Sequence, residues 1–177
     1  MSVTKKIVLG GGCFWCLEAV YQLVNGVEKI VSGYSAGNTL NPSYKEICEG
    51  NTGHAEVVEI HFNTEIIDLK NILEIFWNIH DPTTLNRQGN DVGTQYRSII
   101  LFETDDEKKL IQESLENASK SFKNKIVTEV QKLDIFYPAE NYHQNYYKSN
   151  PGNSYCFYVV KPKIEKFLKL HPTNVKT

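Results

Sequence analysis

The sequence carries no excess of one charge. Nineteen Lys and Arg stand against twenty-one Asp and Glu, for a formal net charge of −2. That balance supplies no basic field for nucleic acid or an anionic membrane. Long apolar runs are missing too: none nears the roughly 20 residues of a bilayer-spanning helix. The opening Met-Ser-Val-Thr-Lys-Lys runs straight into a β-branched segment, with no separate apolar region or small-residue cleavage site. No signal peptide is read there, and a cytoplasmic location is expected. Cysteine is scarce, with Cys13, Cys16, Cys48 and Cys156 the only four. Four thiols are too few to staple a chain of 177 residues, and they favour a catalytic or redox role in a reducing compartment. Internal repeats and low-complexity linkers are also missing. With 41% hydrophobic and 23% charged residues, the chain reads as an ordinary soluble globular protein, one domain over 1–177. No interface pattern stands out, so a monomer is expected.

What is present is concentrated in Gly10-Gly11-Gly12-Cys13-Phe14-Trp15-Cys16. Three glycines end a β-branched run, and a cysteine stands where a helix begins. Unpaired amides and the helix dipole at such a start stabilise an anion, so Cys13 is expected to lose its proton easily and act as a nucleophile. Two aromatics follow at once, and Cys16 sits three residues on as a possible disulfide partner. The five histidines show no paired ligand spacing, so no metal site is expected. Cys48 is read as a small buried hydrophobe.

Periodicity predicts strands over 5–9, 27–34, 55–62, 97–103 and 126–133. In the clearest of these, Val58, Ile60 and Phe62 alternate with Val57, Glu59 and His61. Helices are predicted over 14–24, 69–80, from an Asp105 cap to about 122, over 139–148 and over 162–170. In the third, Leu110, Ile111, Leu115 and Ala118 should point inward. Residues 83–95 read as a long ordered loop, and loops of that length in compact domains are usually functional. Alternating strands and helices imply a two-layer α/β or α+β domain.

Five stretches in order then resemble the A class of peptide methionine sulfoxide reductases, which act on the S epimer. They are Gly12-Cys13-Phe14-Trp15, Gly53-His54-Ala55-Glu56-Val57, His80-Asp81-Pro82-Thr83-Thr84, the run from Gln88 to Ser98, and Ala139-Glu140-Asn141-Tyr142-His143-Gln144. Asn150-Pro151 and Tyr155-Cys156 follow. The resemblance covers nearly the whole length. It implies a two-layer sandwich around a mixed sheet with a ferredoxin-like core. It also implies reduction of methionine-S-sulfoxide, in proteins and as the free amino acid, without a bound cofactor. By motif, Cys13 is the nucleophile and Glu56 the acid. Tyr44, Tyr96 and Asp91 support the sulfoxide oxygen and its water, while Phe14 and Trp15 hold the substrate methyl. Glu140, Asn141, Tyr142 and His143 receive no catalytic role.

The chemistry suits these residue types. A sulfoxide oxygen leaves only when protonated, and a carboxyl in an apolar pocket keeps its proton near neutral pH. Tyrosine hydroxyls donate to a developing oxyanion without carrying charge. The products are methionine and a Cys13 sulfenic acid. A second thiol condenses with that acid, and an external dithiol such as thioredoxin or dithiothreitol reduces the disulfide. Cys156 is favoured as the resolving residue. Cys16, where many family members carry glycine, is a competing or an intermediate partner. Two other readings remain open at this point: a generic Cys-x-x-Cys thiol–disulfide oxidoreductase, and a zinc-stapled binding module. The first of these gives no reason for Glu56 or the 89–96 loop.

Overall fold

A computed structural model describes residues 3–177. Its centre is a six-stranded mixed sheet in the order β7-β6-β1-β3-β2-β8. The strands are β1 (Thr4–Gly10), β2 (Val27–Ser35), β3 (Ala55–Asn63), β6 (Ile99–Phe102), β7 (Glu129–Lys132) and β8 (Phe136–Pro138). A separate ribbon pairs β4 (Arg87–Gln88) with β5 (Asp91–Val92). The helices are α1 (Phe14–Tyr21), α2 (Tyr44–Glu49), α3 (Leu69–Ile79), α4 (Asp105–Ser119), α5 (Tyr146–Ser149) and α6 (Lys161–Leu170). Strands β6-β1-β3-β2, joined through α1 and α3, form the ferredoxin-like core, all antiparallel. Parallel β7 and antiparallel β8 extend it at the two edges.

The sheet has one deep face and one shallow face because strand side chains alternate. Leu9, Val58, Ile60, Phe62, Ile100 and Phe102 enter the main core beneath the helices. Val8, Val57, Ile99 and Leu101 form a smaller cluster on the reverse side. Glu56 shares the parity of Val58 and Ile60, so it faces the helical layer at the end where α1 begins. His80 fastens the end of α3 to the sheet. Its ring bonds the Phe76 carbonyl at 2.6 Å and the Ser98 hydroxyl at 2.8 Å, and burial pushes its pKa down to about 3.

Several boundaries differ from expectation. Helix α1 ends at Tyr21, because Val24 turns away to bridge Val175 near the C-terminus. Thr104, not Asp105, caps α4, in a capping box with Glu107. Leu110 is 37% exposed rather than inward, while Ile111 takes the core position. The expected helix over 139–148 is a 3-10 turn over Asn141–His143 followed by the four-residue α5. The loop over 83–95 contains the β4–β5 ribbon. A π-helical turn, Cys156–Val160, leads into α6.

Strand β8 matters for the site because the chain leaves it directly into 139–146. Gly33 lets it approach: a Cβ there would lie 2.4 Å from the Tyr137 carbonyl oxygen. Gly33→Ala should therefore lower the unfolding free energy by about 1–3 kcal/mol. Denaturant titration should show a lower midpoint at unchanged slope.

Candidate active site

The site is built where β1 hands over to α1. Gly12 makes the turn at φ +85°, a left-handed conformation that suits glycine, and its amide donates to the Tyr96 carbonyl at 3.1 Å. Cys13 then occupies the N-cap of α1 in extended geometry. The first amide of the helix, Phe14 N–H, donates to Glu56 Oε1 at 3.1 Å. Glu56 is 1% exposed, and burial lifts its pKa to about 8, assisted by the charge of Asp91 and opposed by the Phe14 amide and the Cys13 thiol. The carboxyl is thus protonated at neutral pH, as an acid for a sulfoxide oxygen must be.

Cys13 differs from expectation. Its pKa is raised, not lowered, by burial first and then by Glu56 and Cys16. The helix start favours anions, but its first free amide is already given to Glu56. The Trp15 amide and the Tyr155 hydroxyl favour the thiolate without overcoming burial. The resting nucleophile is a neutral thiol beside a neutral acid.

The other expected residues converge here. Burial and then the Glu56 charge raise the pKa of both Tyr44 and Tyr96, and Tyr96 also feels Asp91 and Cys13. Both phenols therefore stay protonated donors. Asp91 accepts the Tyr155 hydroxyl at 2.5 Å. That same hydroxyl bonds the Cys13 and Cys16 thiols, a junction that sequence reasoning missed although Tyr155 adjoins Cys156. Cys16 is buried, and burial lifts its thiol to about 11. Cys156 lies within electrostatic reach of Cys16.

Phe14 and Trp15 form an aromatic enclosure with partners from the 141–155 stretch. Phe14 meets the His143 ring at 5.1 Å, and Trp15 lies flat on Tyr146 at 3.6 Å and 3°. Trp15 also meets Tyr155 edge-on at 5.7 Å. The indole N–H donates to His143 Nδ1 at 3.1 Å. An indole is only a donor, so His143 carries its proton on Nε2. Burial lowers its pKa, and the ring is neutral. Glu140 accepts the Tyr34 hydroxyl and the Tyr44 amide, each at 2.9 Å, and so places α2 against the site. Burial opposes its charge, but these donors hold its carboxyl below the ordinary value.

Cys48 also departs from expectation: it is exposed, not buried. Helix α2 buries only Ile47, which leaves the next residue at the rim beside Tyr44. A groove of about 1330 Å³ opens on Cys13, Asp91 and Tyr155 and runs past His80 and Trp77 toward Lys163. Among the described residues no three potential metal-ligating side chains cluster, and no helix is long and apolar enough to cross a membrane.

A buried thiol, a protonated carboxyl and two phenols around an aromatic slot define a thiol oxidoreductase equipped to protonate an oxygen. The family model for peptide methionine sulfoxide reductase matches residues 5–175. The peptide methionine sulfoxide reductase MsrA of Leptospira borgpetersenii is 59% identical, covering 93% of this chain and 94% of its own. The reduced form of Mxr1 from Saccharomyces cerevisiae superposes with a TM-score of 0.83 at 37% identity, covering 86% of this chain and 89% of its own. Mxr1 in complex with Trx2 gives 0.59 at 28% identity, covering 81% and 84%. The chain belongs to the peptide methionine sulfoxide reductase family, and it is an enzyme that reduces methionine sulfoxide.

The Glu56 proton is testable in two ways. The single-turnover rate of sulfoxide reduction should hold at lower pH and fall as pH passes about 8. Glu56→Gln should lower that rate about 100-fold and remove the fall. Stability supplies the second test. The folded carboxyl keeps its proton to about 8, whereas the unfolded chain releases it near 4.5, so the native state binds more protons between those values. Wild-type stability therefore falls as pH rises across that window. At its upper end Glu56→Gln should be the more stable protein, by on the order of a few kcal/mol in denaturant titration.

Proposed function

We propose that residues 1–177 act as one monomeric domain that reduces methionine-S-sulfoxide, free and in proteins, through a sulfenic acid on Cys13. The carrying observation is the Phe14 amide bond to a buried Glu56 beside the Cys13 thiol. Phe14 and Trp15 receive the substrate methyl. Tyr44 and Tyr96 donate to the sulfoxide oxygen, and Asp91, through Tyr155, orders the side nearest the thiols. Glu56 passes its proton to the oxygen as Cys13 sulfur attacks, and the emptied carboxylate accepts the thiol proton. The new bond between the two sulfurs then breaks as the hydroxyl passes from the substrate sulfur to Cys13, so the thioether leaves with its methyl intact and Cys13 is left as the sulfenic acid. No bound cofactor enters this balance.

Resolution uses both remaining buried thiols, in a sequence that departs from direct resolution by Cys156 as favoured from the sequence. Cys16 condenses first, expelling water and forming Cys13–Cys16, and Cys156 then exchanges into that bond. The order rests on proximity. The Cys16 amide bonds the Cys13 carbonyl at 3.1 Å, and Cys156 neighbours Cys16. An external dithiol of thioredoxin type, or dithiothreitol, closes the cycle. The complex of Mxr1 with Trx2 supports that partner. The groove leading to Cys13 gives an extended polypeptide room to reach the thiol.

Cys13→Ser should abolish turnover of methionine-S-sulfoxide, and retained activity would sink the assignment. Peptide mapping after one equivalent of sulfoxide orders the thiols. Cys156→Ser should accumulate Cys13–Cys16, and Cys16→Ser should leave a Cys13 sulfenic acid that dimedone traps. Formation of Cys13–Cys156 at the wild-type rate in Cys16→Ser would remove Cys16 from the path.

A further inference from the structure

Glu18, on α1, takes no part in the reaction above, yet it is a carboxyl-bearing residue only 2% exposed. Burying such a group is costly unless its oxygens are paired, so its partners are informative. Oε1 accepts the Tyr146 amide at 3.1 Å, and Oε2 accepts the Ser32 hydroxyl at 3.3 Å. The Asn145 amide bonds the same carboxyl. All this lies one helical turn beyond Trp15.

The backbone held there is unusual. Asn145 sits at φ +56°, a left-handed conformation that is strained for a side-chain-bearing residue. Gln22, the C-cap of α1, fixes it by donating to Asn145 Oδ1 at 3.1 Å. Helix α5 then begins with no cap from its own side chains. Glu18 supplies the missing acceptor across the interface. The chain so held presents the Tyr146 ring flat against Trp15, and Trp15 in turn donates to His143.

We propose that Glu18 is a positioning residue that sets which sulfoxide substituent the pocket admits. By fixing Tyr146 behind Trp15 it holds the indole wall at a depth suited to a methyl group and closed to longer alkyl groups. The inference rests on reading Phe14 and Trp15 as the methyl pocket. It assigns Glu18 no contact with substrate and no share in proton transfer.

The test compares methionine-S-sulfoxide with ethionine-S-sulfoxide. Glu18→Ala should raise KM for the methyl substrate about tenfold while kcat stays within about twofold, as expected for loss of one aromatic backing contact. The preference for methyl over ethyl should shrink by a similar factor. Tyr146→Ala should reproduce both changes, and the double variant should be no worse than either single one. Glu18→Gln keeps an acceptor for the Tyr146 amide and should remain near wild type. Trp15 and Trp77 are the only tryptophans, so a Trp77→Phe background isolates Trp15 emission, which should shift red in Glu18→Ala. Should Glu18→Ala not fold, Tyr146→Ala and Glu18→Gln still decide the matter. Unchanged methyl-to-ethyl preference in Tyr146→Ala, or fully additive losses, would overturn the proposal. A wild-type protein inactive on both sulfoxides would instead overturn the functional reading beneath it.

Discussion

The hydrogen bond from the Phe14 amide to Glu56 joins the two halves of the chemistry. It runs 3.1 Å from the first turn of α1 to the face of β3. On one side it occupies the strongest anion-stabilising position of the helix. On the other it gives a buried acid one firm partner while leaving the rest of the carboxyl for Cys13 and for a substrate oxygen. The glycines that end and follow β1, the parity of β3 and the start of α1 are all needed to bring these groups together. A one-residue slip of β3 would turn Glu56 to the opposite face of the sheet.

Around that bond the stretch from 139 to 146 is held from behind at three points. Glu140 receives Tyr34 and the α2 backbone. Gln144 pairs with both the amide and the carbonyl of Ser32, at 2.9 Å and 2.8 Å. Glu18 receives the Tyr146 amide. Each anchor is a polar side chain meeting backbone or a hydroxyl, so the aromatic rings of this stretch are located by directional bonds and not by packing alone. That is why four residues of helix suffice to place Tyr146 on Trp15.

The legible parts of this protein are those that depend on local order. The alternation along β3 and the apolar stripe of α3 are written in consecutive residues, and both elements form as read. Cys13, Phe14 and Trp15 were identifiable because they adjoin one another. Glu56, Tyr44, Tyr96 and Asp91 lie far apart in the chain and were nameable through family resemblance. Strand β8 went unread because three residues carry no period, and its pairing with β2 bridges about a hundred positions. Cys48 was misplaced because a six-residue helix has only one fully buried position. The acidity of Cys13 was misjudged for a related reason. The dipole of a helix start is visible in sequence, but the burial that overrides it comes from elements more than forty residues away. Tyr155 and His143 were named within the family stretches but given no role, because each acts through partners that only the fold supplies.

The neutral state of Cys13 has a consequence for survival under oxidising conditions. Peroxides attack thiolates, and a buried protonated sulfur offers them little. The substrate, however, brings its own oxygen to Glu56 and so starts the proton movement that a free oxidant cannot. A protein whose task begins when methionines are oxidised thus keeps its own sulfur in the form least open to the same damage, and becomes reactive only on contact with what it repairs.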